Sequence, residues 1–172
     1  DTHRDETHYE KRKTGEFNPY NESIKNKVLL EKIPIFMSLS DNDLEEISEN
    51  AERVHFEKDD YIIKQNDKGD SLYVINDGVV SVYLDNENNE KVFLAKLGVS
   101  DYIGEGSLLT GEPRSANVIA ETPCIVIKVS KEIIKDIFAK NPDVYDYVAD
   151  ILAQRKIKLN MKKNESEKSQ ND

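Results

Sequence analysis

Glu105 and Arg114 stand in a stretch whose other members are mostly small or bent: Asp101-Tyr-Ile-Gly-Glu-Gly-Ser-Leu-Leu-Thr-Gly-Glu-Pro-Arg-Ser-Ala-Asn117. Its glycines Gly104, Gly106 and Gly111 let main-chain N–H groups approach a ligand closely, because no Cβ intervenes. A short helix begun there aims its first free N–H groups at an anion. Arg114, set behind Pro113, adds a planar donor fork matched to two phosphate oxygens. Glu105 cannot serve a phosphate, since its oxygens only accept hydrogen bonds; it suits a hydroxyl donor nearby, such as a ribose 2′-OH. One phosphate and one ribose hydroxyl describe a nucleotide, and a single arginine describes low phosphate charge. Taken singly, each residue has a plainer reading: Gly104 and Gly111 turn the chain, Glu105 caps a helix, and Arg114 is a solvated charge.

The elements that must position this stretch are legible around it. From Asn21 the residues Ile24, Val28, Leu29 and Ile33 recur at helical spacing until Pro34 ends the run, and Ile35, Phe36, Met37 and Leu39 form an apolar bend. Ser40 reads as an N-cap, with Leu44 and Ile47 giving the next short helix one apolar face. From about Arg53 the texture changes to short β-like runs: Val54 with Phe56, Tyr61–Ile63, Leu72–Ile75, Val79–Leu84, Val92–Leu94, Val118 with Ile119, and Cys124–Val129. Turn formers separate them at 66–69, 76–78, 85–89 and 97–98. Many short strands at even spacing predict a sandwich or small barrel. After it, Ile133, Ile134, Ile137 and Phe138 mark a helical face that Asn141-Pro142 breaks. A longer helix from Asp143 carries Val144, Val148, Ile151, Leu152, Arg155 and Leu159 on one stripe.

The run Gly104-Glu105-x-x-Leu108-Leu109-x-x-x-Pro113-Arg114-Ser115-Ala116 resembles the phosphate-binding cassette of cyclic-nucleotide-binding domains. Gly69-Asp70-Ser-Leu-Tyr-Val-Ile-Asn-Asp-Gly78 is similar to the strand and turn that pack under that cassette, and Leu97-Gly98 precedes it at the family distance. The resemblance implies a mainly β fold: an eight-stranded jelly-roll (double-stranded β-helix) barrel with flanking N- and C-terminal α-helices. It also implies ligand contacts from Gly104, Glu105, Gly106, Ser107, Arg114, Ser115 and Ala116. Asp70 would orient Arg114 from behind, or simply cap a turn. Leu152 or Arg155 would cover the purine when the last helix closes, or that stripe simply packs on the roll or on a second copy. Three positions depart from the family pattern: Ser100 stands where glycine is usual, Ile103 where an aromatic is usual, and Gly106 where a bulkier apolar residue is common.

Composition narrows the function classes. The 172 residues have room for one domain with a proper core. It is expected at 20–162, with helices over 20–50, the β-roll over 52–129 and C-terminal helices over 131–162. A linker or disordered arm at 1–19 and a disordered tail at 163–172 flank it. The net charge of −10 argues against a nucleic-acid partner. No apolar run reaches the ~18 residues needed to span a bilayer, so a cytoplasmic setting is expected. His3, His8 and His55 are scattered, no cluster has metal-ligand spacing, and Cys124 lies in an apolar run as a structural thiol. No catalytic set is found, so no cofactor and no turnover are expected.

The expected function is therefore a sensor that binds cAMP or cGMP unchanged and acts through its C-terminal helices on an attached effector. The cassette text is most similar to sensor modules on the cytoplasmic side of bacterial ion channels, including mechanosensitive-like ones, which makes a membrane channel the expected effector. A kinase-type complex is the alternative. Two further alternatives are an adaptor whose roll has lost its ligand and a cupin-type enzyme, for which only His55 is available as a metal ligand. Homo-oligomer formation and the choice between the purines are left open by the sequence.

Overall fold

A computed structural model describes residues 19–170 of the chain. The arm expected at 1–19 lies, up to residue 18, outside the described residues, as do residues 171 and 172 of the expected tail. Eight strands form the centre: β1 Glu52–Phe56, β2 Tyr61–Ile63, β3 Ser71–Asp77, β4 Val80–Asp85, β5 Lys91–Leu97, β6 Tyr102–Ile103, β7 Asn117–Ala120 and β8 Cys124–Ser130. They build two four-stranded antiparallel sheets in the orders β1-β8-β3-β6 and β2-β7-β4-β5. The expected mainly β fold with flanking helices is present, with one correction: the two sheets face each other as a roll and do not join into one closed barrel. The structure adds β6 to the strands read from the sequence. Two residues are too few to show a period, and they sit inside a stretch that reads as loop.

Two apolar clusters hold the fold, and β3 and β8 lie between them. Ile75, Cys124 and Val126 face the inter-sheet cluster with Ile62, Val80, Val82, Leu94 and Val118. Leu72, Val74, Ile127 and Val129, on the other face of the same strands, join the cluster under the helices. Both faces being covered explains why Leu72–Ile75 and Cys124–Val129 are nearly unbroken apolar runs rather than alternating ones. Each fully buried Leu or Ile in such a cluster contributes about 1.5–3 kcal/mol.

The helices are α1 Pro19–Leu30, a 3-10 turn at Pro34–Phe36, α2 Asp41–Asn50, α3 Glu105–Thr110, α4 Lys131–Lys140 and α5 Pro142–Gln170. Ser40 and Ser130 cap α2 and α4 through side chains that accept from the N–H groups of Asp43 and Ile133. In α1 the apolar spacing marks a helix but not its buried side: Ile24 and Val28 are 46% and 48% exposed, while Asn26, Leu29 and Leu30 turn inward. The Asn26 amide donates to the Ser48 carbonyl of α2 at 3.2 Å, a polar tie that a hydrophobic pattern does not register. Helix α5 corrects the tail reading, because it continues from 162 through Gln170. Beyond Pro142 it holds no Gly or Pro, and Lys, Glu and Gln are good helix formers even where they bury nothing.

Candidate ligand-binding site

The glycine-rich stretch is folded as a strand, a sharp bend and a short helix. Gly104 occupies the left-handed region at φ 89° at the N-terminus of α3, and Gly111 closes the helix at φ 72°, its N–H donating to the Ser107 carbonyl. No side chain caps the N-terminus of α3, whose first-turn N–H groups have no partner within the helix.

Arg114 is only 6% exposed. Its Nη1 donates to the carbonyl of Gly104 and its Nη2 to that of Ser71, each at 2.9 Å. These bonds tie the bend before α3 to the start of β3, and they occupy two of the five donors of a guanidinium. The main chain around Arg114 is fastened as well: its N–H donates to the Asp67 carbonyl at 2.7 Å, and its carbonyl accepts from Asn66 N–H at 2.8 Å. Burial pulls the Arg114 pKa below its ordinary value, opposed by Tyr73 and by the charges of Asp70, Glu105 and Asp67. The resemblance implies that Asp70 links to the arginine. In the structure Asp70 acts on it through space, while its carboxylate accepts from Ser71 Oγ at 3.0 Å and the direct ties go to the two carbonyls.

The space for this guanidinium depends on glycine at two places. A Cβ on Gly104 would sit 2.4 Å from Arg114 Nη1, and one on Gly69 would sit 2.8 Å from Arg114 Cζ and 2.5 Å from Ser107 Cβ. Gly69 is a site residue that the sequence reading did not single out, since nothing in its spacing announces an arginine so far along the chain. Ser107 is buried beneath it. Gly106 is exposed and would have nothing within 4 Å of an added Cβ, so no close approach requires a glycine there. Ser115 is exposed, and Ala116 packs against the inter-sheet cluster.

Glu105, on the first turn of α3, has a side chain 14% exposed, and its Oε1 lies 3.0 Å from Nη1 of Arg155 on α5. That nitrogen has no hydrogen-bond partner of good geometry, so the contact is an ion pair held by charge rather than an aligned bond. The Arg155 guanidinium is also stacked over the ring of Tyr102, 4.0 Å from its centroid. Burial raises the Tyr102 phenol above its ordinary pKa, with Arg155 opposing. Tyr102, on β6, is a second residue the sequence reading missed. Leu152, the other residue considered as a cover, is buried with Val148 and Leu108 in the cluster under the helices, where it packs α5 onto the roll. The structure thus brings Gly104, Glu105, Ser107, Arg114 and Arg155 together around the start of α3.

Other places offer less chemistry. A cavity of about 360 Å³ lies between α3, α4 and α5, lined by Leu108, Ile134, Phe138, Pro142 and Tyr145, apart from the Glu105–Arg114 pair. Among the described residues no group of three or more His, Cys, Asp or Glu could hold a metal ion, and none of the helices is long and apolar enough to cross a membrane. His55 stands at an exposed position of β1, outside the roll interior that a cupin-type site needs. Cys124 is buried, and its thiol donates to the carbonyls of Thr122 and Val79.

A family model described as "Cyclic nucleotide-binding domain" matches residues 53–141, a span that includes Glu105 and Arg114. Among curated proteins, a cGMP-dependent protein kinase of Drosophila melanogaster (isozyme 2, forms cD5/T2) is 35% identical over 103 residues, covering 57% of this chain and 11% of the relative. A cGMP-dependent protein kinase of Caenorhabditis elegans is 34% identical over 99 residues, covering 57% and 13%. The chain thus spans about a tenth of the length of these relatives. Among solved structures, the regulatory domain of Toxoplasma gondii PKA with cAMP superposes with a TM-score of 0.70 at 22% identity, covering 79% of this chain and 50% of that one. The sensor domain of the transcriptional regulator DNR from Pseudomonas aeruginosa gives 0.71 at 19% identity, covering 77% and 89%. At these identities the structural likeness establishes the fold.

Proposed function

The chain belongs to the family of cyclic nucleotide-binding domains, and from that membership we propose that it is a sensor module that binds cAMP or cGMP, releases it unchanged, and regulates an effector attached to it. The observation that carries this reading is the convergence of Arg114 and Glu105 at the start of α3, inside the matched span and nine-tenths or nearly so covered by the fold. The cyclic phosphate is taken by the first-turn N–H groups of α3 and the remaining donors of Arg114. The ribose 2′-OH donates to Glu105. Gly104 and Gly69 keep the arginine in place, and Ser115 and Ala116 flank it. No resident cofactor is required, because binding and release involve no bond-making.

Ligand shifts the arrangement of α5 only by the difference in its affinity for the two arrangements. Contacts on α5 therefore have to differ between them, and Arg155 is where the difference is built. For the effector, the relatives named above support a kinase-type catalytic partner, since two of them are cGMP-dependent protein kinases. The channel expected from the cassette text rests on that text alone. In either case the module works on the cytoplasmic side, where cyclic nucleotides are made and degraded.

Titration calorimetry with cAMP and cGMP tests the reading. Saturable binding of at least one nucleotide, lost or weakened more than about a hundredfold in Arg114→Ala, is expected from the loss of charge-assisted phosphate bonds. Unchanged affinity in that variant removes the assignment. No heat with either nucleotide favours an adaptor built on the same roll.

A further inference from the structure

We propose that Arg155 is a built-in competitor for the ribose subsite: its guanidinium, paired with Glu105 and stacked on Tyr102, holds α5 shut against the carboxylate that the ligand hydroxyl must reach. This rests on the sensor reading above and concerns the regulation of the same site. Arg155 is otherwise a candidate cover for the base, which predicts that removing it weakens binding. The geometry points the other way.

The Glu105 side chain is 14% exposed and that of Arg155 20%, so the pair is largely enclosed and the carboxylate has little open surface on its flank. The guanidinium lies 4.0 Å from the Tyr102 ring centroid on β6 while its Nη1 stands 3.0 Å from Glu105 Oε1. Helix α5 is held across this end of the roll by packing near α3, β5 and the 3-10 turn, and Val148 and Leu152 anchor it one to two turns before Arg155. A neutral hydroxyl that takes the place of a cation loses charge–charge attraction and gains one hydrogen bond. The exchange is feasible because the Arg155–Glu105 contact is poorly aligned as a hydrogen bond. A binding site that is open only part of the time shows an affinity reduced by the open fraction. The pair thereby sets the concentration at which the sensor responds.

The test uses the full chain and Arg155→Met, which keeps an apolar stem over Tyr102 and loses the charge. Calorimetry with cAMP and cGMP is expected to show about tenfold tighter binding in the variant, the factor corresponding to a latch closed nine-tenths of the time. Hydrogen exchange of the amides around 148–156 is expected to quicken in the variant. Unchanged or weaker binding in Arg155→Met, with the parent chain binding normally, overturns the competition and restores Arg155 to the base. Absence of binding in both proteins overturns the sensor reading and the competition with it. In that case exchange at 148–156 reports the clasp alone, and unchanged exchange shows that the pair does not hold α5 at all.

Discussion

At the scale of single residues, Glu105 and Arg114 perform different tasks although both lie at one bend. Arg114 is a structural tie as well as the proposed phosphate donor, since two of its N–H groups already serve main-chain carbonyls. Glu105 is bound only through side-chain charge and is the better probe of ligand recognition. In the parent chain, cAMP is expected to bind about tenfold more tightly than its 2′-deoxy analogue, the worth of one hydrogen bond to a charged acceptor. In Glu105→Gln that ratio shrinks toward one, and a ratio that stays at its parent value assigns the ribose to another group. Ser100 offers a stability test independent of ligand. It stands in the left-handed region at φ 76°, where the family pattern has glycine. An L residue there costs about 1–2 kcal/mol, offset in part by the added freedom of an unfolded glycine. Ser100→Gly is expected to raise the melting temperature by about 2–4 °C, and a lowered one would show that the serine side chain compensates.

At the scale of elements, α3 is short and carries Gly106 at a position with open space around it. Glycine in a helix costs roughly 0.5–1 kcal/mol relative to alanine. Gly106→Ala is expected to stabilise the chain by about that amount in urea unfolding, with no clash to offset it. A destabilised variant would mean that the backbone there is needed elsewhere than in the helix seen. The α1 helix shows where pattern reading stops: Ile24 and Val28 obey the helical period and still face outward, because the period defines a stripe and only the neighbour, here α2 with Ser48, decides which stripe is buried. Conversely, the cap Ser40 is legible from sequence, since a cap is satisfied by a donor three residues away, and the structure adds Ser130 at α4 by the same rule.

At the scale of the whole molecule, β3 and β8 separate two cores, one between the sheets and one under the helices, and the site sits where α3, β3 and α5 meet. Helix α5 gives Val148 and Leu152 to the helix-side core and, among the described residues, none to the inter-sheet core. Ligand that binds only the folded chain is expected to stabilise it by about 2.7 kcal/mol at a hundredfold excess over Kd, read as a rise in melting temperature with cAMP or cGMP. A melting temperature unmoved by either nucleotide at millimolar concentration opposes the sensor reading.

The linear chain by itself determined what depends on near neighbours: most of the strand runs, the turns, the Ser40 cap, and the glycine-flanked stretch carrying Glu105 and Arg114. It also identified the family, because the cassette is contiguous and its residues keep their spacing. Only the tertiary structure decided that Arg114 is held by the carbonyls of Gly104 and Ser71 in space left by Gly69, that Asp70 acts on it from a distance, that the roll is two sheets rather than a closed barrel, and that Arg155 reaches Glu105 across Tyr102. Those contacts join residues far apart in the chain. Their existence is set by how the sheets and α5 pack, and side-chain type and spacing carry no record of that.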